Sequence, residues 1–152
     1  MKVGDMVPDI KVKDMGGKDV SLKDFKGKKI VLYFYPKDDT PGCTLEACSF
    51  RDNYEKIEKL GVKVIGVSAD DIESHKKFTA KHKLPFILLS DKEHKLAEAF
   101  GVWKQKSFMG KKFFGIERTT FIIDEKGKII HIFQKVKPQG HAEEVIEALN
   151  KF

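Results

Sequence analysis

The chain holds two thiols, Cys43 and Cys48, both inside the stretch YFYPKDDTPGCTLEACSF from Tyr33 to Phe50. A cysteine does chemistry as the thiolate, which attacks electrophiles or binds metal. Cys43 follows a buried-looking run, IVLYFY, and a loop containing Pro36, Thr40, Pro41 and Gly42; it opens a segment with helical periodicity. A helix start offers free N–H donors and the positive end of the helix dipole. Both favour the charged form of sulfur, which makes Cys43 the candidate nucleophile. Thr40, three residues earlier, can turn its hydroxyl to the sulfur or to a backbone group. Pro41 removes one N–H and stiffens the approach.

Cys48 falls inside the same helix. Five residues of ideal helix separate two Cα atoms by roughly 8–9 Å and turn the side chains to different faces. A disulfide tolerates about 7 Å at most. The pair therefore cannot bond while the helix is intact, and can once about one turn unwinds. Such spacing suits a transient bond, formed at the cost of local unfolding and then reduced. The competing reading of Cys48 is a small buried hydrophobe, the usual fate of a lone cysteine. Metal chelation fits poorly. Two thiolates on different faces do not converge, and the five histidines form no cluster in sequence. His75 and His82 are two turns apart, about 10 Å along a helix axis, and His94, His131 and His141 are expected at the surface.

Arg118 is one of only two arginines in a chain with 27 lysines, and it stands just before the run TTFIID. A guanidinium is always charged and presents a rigid donor fork. It would stabilise a thiolate and hold a small polar oxygen substrate. The bland alternative is a surface ion pair with Glu117. Arg51 fits a structural pairing with Asp52 or Glu55. The pairs Asp38-Asp39 and Asp70-Asp71 suit turns or caps better than acid/base work. Dinucleotide, phosphate-loop, serine-hydrolase and zincin motifs are all missing.

These residues need a scaffold, and the pattern supplies one. KDVSLKDF reads as a strand entering a turn or short helix, and KKIVLYFYP as a strand buried on both faces and ended by Pro36. Apolar residues Leu45, Phe50, Tyr54, Ile57 and Leu60 predict one helix over 43–60, with Gly61 as its stop. VKVIGVS is a second strand, DDIESHKKFTAKHKL a helix capped by Asp70 or Asp71, and PFILLS a third strand. DKEHKLAEAF is a short helix. SFMGKKFFGIERTTFIID and KIIHIFQ are strands with a tight turn near Gly127, and GHAEEVIEALNKF closes the chain as a helix. The order β-α-β-α-β-α-β-β-α implies an α/β fold, a mixed sheet with helices on both faces. Right-handed crossovers would align the first three strands, so that the loop 36–42 lies at their C-terminal edge, where open α/β sheets bind ligands.

At 152 residues and 41% hydrophobic, the chain is expected to form a single domain over 1–152. No apolar run approaches the roughly 20 residues of a membrane helix, and MKVGDMVPDI lacks a signal-peptide pattern, so a cytoplasmic location is expected and no membrane partner. Two cysteines do not make a disulfide scaffold. The net charge is +6, but the lysines are dispersed among acids. That reads as a solubilising surface rather than a nucleic-acid stripe.

The stretch PKDDTPGC, Pro36 to Cys43, resembles the P-x-x-x-T-x-x-C motif of the peroxiredoxins. TPGCTLEACSFRD, VIGVSAD, SHKKFTAKHKLPFILLSD and RTTFIID extend the likeness to the Q-type, or bacterioferritin comigratory protein, subfamily over nearly the whole chain. The resemblance implies a thioredoxin-like fold and an antioxidant activity, thiol-dependent reduction of hydrogen peroxide and alkyl hydroperoxides without a cofactor. It makes Cys43 the peroxidatic cysteine and Cys48 the resolving one. Thr40 and Arg118 bind thiolate and peroxide, with Pro36, Pro41 and Gly42 around the pocket. It also puts Glu46 where some other peroxiredoxins have a glutamate bonded to arginine. Thioredoxin or a similar dithiol is the implied reductant, and a monomer the implied state. Two other readings of the same cysteines are a thioredoxin-like disulfide reductase and a non-enzymatic redox sensor. The first would want C-x-x-C at the helix start and a proline immediately before TTFIID, and the sequence has neither.

Overall fold

The computed structural model describes every residue from Met1 to Phe152. Its centre is the run KIVLYF, strand β3 (Lys29–Phe34), in which five of the six residues are buried. Alternate side chains enter two different cores. Ile30, Leu32 and Phe34 join one apolar cluster, and Val31, Tyr33 and Tyr35 join the other. This is the period of two expected of a strand covered on both faces.

Seven strands form one mixed sheet in the order β2-β1-β5-β4-β3-β8-β9. Strands β4 (Val62–Ser68) and β5 (Ile87–Ser90) run parallel to β3. On its other side β3 pairs antiparallel with β8 (Thr119–Ile123), and β8 with β9 (Ile129–Phe133). The short β1 (Val12–Lys13) and β2 (Asp19–Val20) close the far edge. Helices α1 (Pro41–Asp52), α2 (Tyr54–Lys59), α3 (Ile72–His82) and α5 (His141–Leu149) contribute their buried apolar residues, among them Phe50, Ile57, Phe78 and Val145, to the Tyr33 cluster. Leu96 and Ala97 of α4 (Lys95–Ala99), with Leu22 of a 3-10 turn, pack on the opposite face. Strands β6 (Trp103–Phe108) and β7 (Lys111–Ile116) stand apart as a two-stranded hairpin.

The register positions the chemistry. Phe34, at the C-terminal end of β3, pairs with Thr119, the first residue of antiparallel β8. Arg118 is thereby delivered to the same sheet edge as the loop that leaves β3. Gly66 in β4 makes the neighbouring space, since a Cβ there would lie 2.9 Å from the Tyr33 ring.

Three expectations need correction. The helix expected over 43–60 starts earlier, at Pro41, and breaks at Asn53, whose side-chain amide donates to Ser49 O at 2.9 Å. Leu45 and Leu60, counted towards its buried face, are exposed, while Phe50 and Ile57 are buried. The segment from Trp103 to Ile116 forms its own hairpin instead of extending the sheet. His141, expected at the surface, is fully buried, between Thr120 Oγ1 at 2.8 Å and Glu144 Oε1 at 2.7 Å.

Candidate active site

Thr40 is the N-cap of α1, in extended conformation, and Pro41 is its first helical residue. A threonine in this place commonly caps the helix with its hydroxyl. Here it does not; the hydroxyl donates to Lys37 O at 2.8 Å, closing the loop on itself. Of the two partners expected for Thr40, the backbone is the one engaged. The first-turn N–H groups are left without a side-chain cap, and they face the region of Cys43 with the helix dipole behind them.

Cys43 occupies the third helical position and is almost wholly buried. Its Sγ lies 3.4 Å from Arg118 Nη2, within reach of a charge-assisted contact. The other guanidinium nitrogen, Nη1, donates to Glu46 Oε1 at 2.6 Å. Arg118 thus bridges two residues one helical turn apart on α1, instead of pairing with Glu117. Burial works to lower the arginine's pKa, but Glu46 and Cys43 outweigh it and raise the value. The same burial dominates Glu46, which Arg118 pulls the other way; the net result is a carboxyl raised from 4.5 to about 7. Its second oxygen has no hydrogen-bond partner. Glu46 was placed by likeness alone; its spacing from Cys43, one turn on and on the same side of the helix, was the signal in the sequence.

Gly42 lies under the guanidinium. A Cβ there would meet Arg118 Nη2 at 3.2 Å and Pro138 Cγ at 3.4 Å. The segment between β9 and α5 is tied to this spot by Val136 N–H donating to Arg118 O at 2.9 Å. Sequence reasoning missed this roof, because Pro138 is remote in the chain and carries no motif.

Cys48 is in the same helix, half-buried, and both cysteines are free thiols. Ala47 and Phe50 anchor this part of α1; Phe50 stacks on Tyr33 at 4.7 Å and meets His141 edge-on at 5.6 Å. The first turn has fewer such anchors, chiefly Cys43 and the Glu46–Arg118 pair. Arg51 makes the expected pair with Asp52, at 3.0 Å, and adds a bond to His82 O at 2.8 Å.

The histidines form no cluster with the cysteines, but one of them meets two acids. His75 Nδ1 faces Asp38 Oδ2 at 2.6 Å, and Asp38 is buried rather than a simple turn residue. Ligand atoms of Asp38, Asp70 and His75 lie within 4.8 Å of one another. The atoms that meet are already engaged: Tyr35 OH and Ser74 Oγ donate to Asp38, Ser68 Oγ donates to Asp70, and His75 Nε2 faces Leu89 O. The group is a satisfied hydrogen-bond network, and a cation would have to break it.

Residues 3–132 match the AhpC/TSA family. The chain is 54% identical over 149 residues to peroxiredoxin Bcp of Bacillus subtilis, covering 98% of this chain and 95% of the relative. It is 46% identical over 151 residues to peroxiredoxin Bcp of Escherichia coli K12, covering 99% and 97%. Among solved structures it is similar to a cysteine-to-serine mutant of Xylella fastidiosa PrxQ, with a TM-score of 0.93, 37% identity, and 99% and 96% coverage. It is also similar to the Xanthomonas campestris bacterioferritin comigratory protein, studied for its alkyl peroxide reduction activity, with a TM-score of 0.91, 38% identity, and 99% and 96% coverage. No helix is long and apolar enough to cross a membrane.

Proposed function

The chain belongs to the AhpC/TSA family, among its Bcp or Q-type peroxiredoxins, and from that membership we propose a thiol-dependent peroxidase in which Cys43 attacks peroxide and Cys48 resolves the product. The observation that carries this reading is Cys43 Sγ at an uncapped helix start, 3.4 Å from Arg118 Nη2. The Cys43 thiolate attacks one peroxide oxygen. The O–O bond breaks, the leaving alkoxide or hydroxide takes up a proton, and Cys43 keeps one oxygen as a sulfenic acid. Arg118 and the first-turn N–H groups oppose the charge that moves across the O–O bond, and their positions are fixed before reaction begins. Glu46 holds the guanidinium to the helix, and Pro36, Thr40, Pro41 and Gly42 shape the approach.

The second step needs α1 to open. In the intact helix the two Cα atoms are roughly 8–9 Å apart, so the start of α1 unwinds before Cys48 attacks the sulfenic sulfur, forming the disulfide and releasing water. A dithiol protein of the thioredoxin kind then reduces the bond by exchange. Hydrogen peroxide and alkyl hydroperoxides are the proposed substrates. A monomer is the proposed working unit. Peroxide consumption with a thioredoxin system tests the scheme. Turnover should vanish in Cys43→Ser, whereas Cys48→Ser should still be oxidised once but fail to recycle. Normal cycling of Cys48→Ser would remove Cys48 from the mechanism.

A further inference from the structure

The loop that presents the nucleophile is fastened to the protein by two aspartates that the peroxide chemistry does not use. Asp38 accepts from Tyr35 OH at 2.5 Å through Oδ1. Its Oδ2 accepts from Ser74 Oγ at 2.8 Å and faces His75 Nδ1 at 2.6 Å. Its backbone N–H donates to Asp70 Oδ2 at 2.8 Å, and that oxygen also receives Ser68 Oγ at 2.6 Å. Asp39 is tied to Lys81 Nζ at 2.8 Å and to His82 Nε2 at 3.3 Å. Residues 38 and 39 are therefore held by α3, by Asp70 in the turn between β4 and α3, and by Tyr35 just after β3, and none of these partners belongs to α1.

The proton inventory makes the buried part of this fastening a coupled unit. His75 Nε2 faces the Leu89 carbonyl at 3.0 Å. A carbonyl only accepts, so Nε2 carries a hydrogen. Across the 2.6 Å contact with Asp38, one further proton is shared between ring and carboxylate. His75 is 1% exposed, and both its ring nitrogens are committed. A neutral isostere can keep one of these bonds but not both in the same geometry.

We infer that the Asp38–His75 pair is a latch that holds the loop 37–40 still while the start of α1 unwinds and rewinds, and that His75 is a positioning residue for both half-reactions. This rests on the proposed peroxidase cycle. With the loop fixed, Thr40 stays in place as the N-cap, and the unwound segment is tethered just behind Cys43. Freeing residues 37–40 lengthens the mobile segment and gives the unwound state more conformations, which favours opening. The same release lets Thr40 and the first-turn donors drift from the peroxide site. Loss of the latch should thus move the two steps in opposite directions: slower attack on peroxide, faster disulfide formation.

Rapid-quench mass spectrometry after hydrogen peroxide addition, across peroxide concentrations, separates thiol loss from disulfide gain in wild type, His75→Gln and Ser74→Ala. In His75→Gln, thiol loss should slow on the order of ten- to a hundredfold, the size of effect produced by small misplacement of reacting groups. Conversion of sulfenic acid to the 43–48 disulfide should accelerate. Ser74→Ala, which removes one donor to Asp38 and keeps the Asp38–His75 contact, should shift both rates the same ways by less; it decides the matter if His75→Gln does not fold. Amide hydrogen exchange over residues 41–48 should quicken in the variants while β4 amides do not change. Both rates unchanged, or both slowed together, would overturn the latch. If wild type itself forms no 43–48 disulfide, the resolving role of Cys48 is wrong and the latch falls with it.

Discussion

Glu46→Gln offers a perturbation whose size follows from the structure. The Glu46 carboxyl is fully buried, and burial raises its pKa from 4.5 to about 7 although Arg118 opposes the shift. Between those two values the folded chain binds a proton that the unfolded chain has released, so stability falls as pH rises. The contribution is fully present below about 4.5 and is lost as pH passes through about 7. About 2.5 pH units at about 1.4 kcal/mol each give roughly 3–4 kcal/mol over the whole window. Gln keeps an oxygen for Arg118 Nη1 and does not titrate. Urea melts of wild type and Glu46→Gln from pH 5 to 8 measure the difference directly, and His141, present in both proteins, cancels. The unfolding free energy of wild type should drop relative to the variant by up to about 3 kcal/mol across that range. A difference that is flat with pH, or that grows in favour of wild type, would refute the assignment of burial as the dominant influence on Glu46.

Three further outcomes are expected. Arg118→Lys keeps the charge but not the fork that bridges Cys43 and Glu46, and stopped-flow oxidation by peroxide should slow on the order of a hundredfold or more, as for loss of a preorganised donor. Gly42→Ala puts a methyl 3.2 Å from Arg118 Nη2; displacement of the guanidinium should slow the same step by about tenfold, with little change in the melting temperature. His141 is buried, and desolvation lowers its pKa despite Glu144. A depressed histidine contributes stability above its unfolded value of about 6.5 and loses it as pH falls through the folded value. His141→Gln should therefore flatten the acid limb of the stability profile, read by urea melts below pH 6.5.

The strands were legible because their residues obey the pattern that burial imposes. KIVLYF and VKVIGVS face both sides of the sheet and are apolar apart from Lys29, Lys63 and Ser68, so they read as strands. The helix from 43 to 60 was misjudged because periodicity counts apolar residues and cannot see which ones the sheet covers; Leu45 and Leu60 fit the spacing yet face solvent. The order of elements also hid the isolation of the β6–β7 hairpin, since sequence shows neighbours in the chain and not partners in the sheet.

In the site, Cys43 and Arg118 were found by residue type: a lone thiol at a helix start, and a guanidinium where lysine was the default. What joins them is a register, Phe34 opposite Thr119, which only the folded sheet displays. The burial of His141 and of Asp38 was hidden for a related reason. A histidine isolated in sequence looks like a surface residue and an adjacent aspartate pair like a turn, and their burial depends on partners such as Thr120, 21 residues from His141, and His75, 37 residues from Asp38.

The measurement that tests the central claim most directly is the mass-mapped product of one equivalent of hydrogen peroxide, with amide exchange recorded over α1 on the same samples. A disulfide joining Cys43 to Cys48, accompanied by loss of protection at the start of α1 and its return on reduction by a dithiol, is the expected result. Oxidation that leaves Cys43 a free thiol, or a 43–48 bond formed with the helix start still protected, would contradict it.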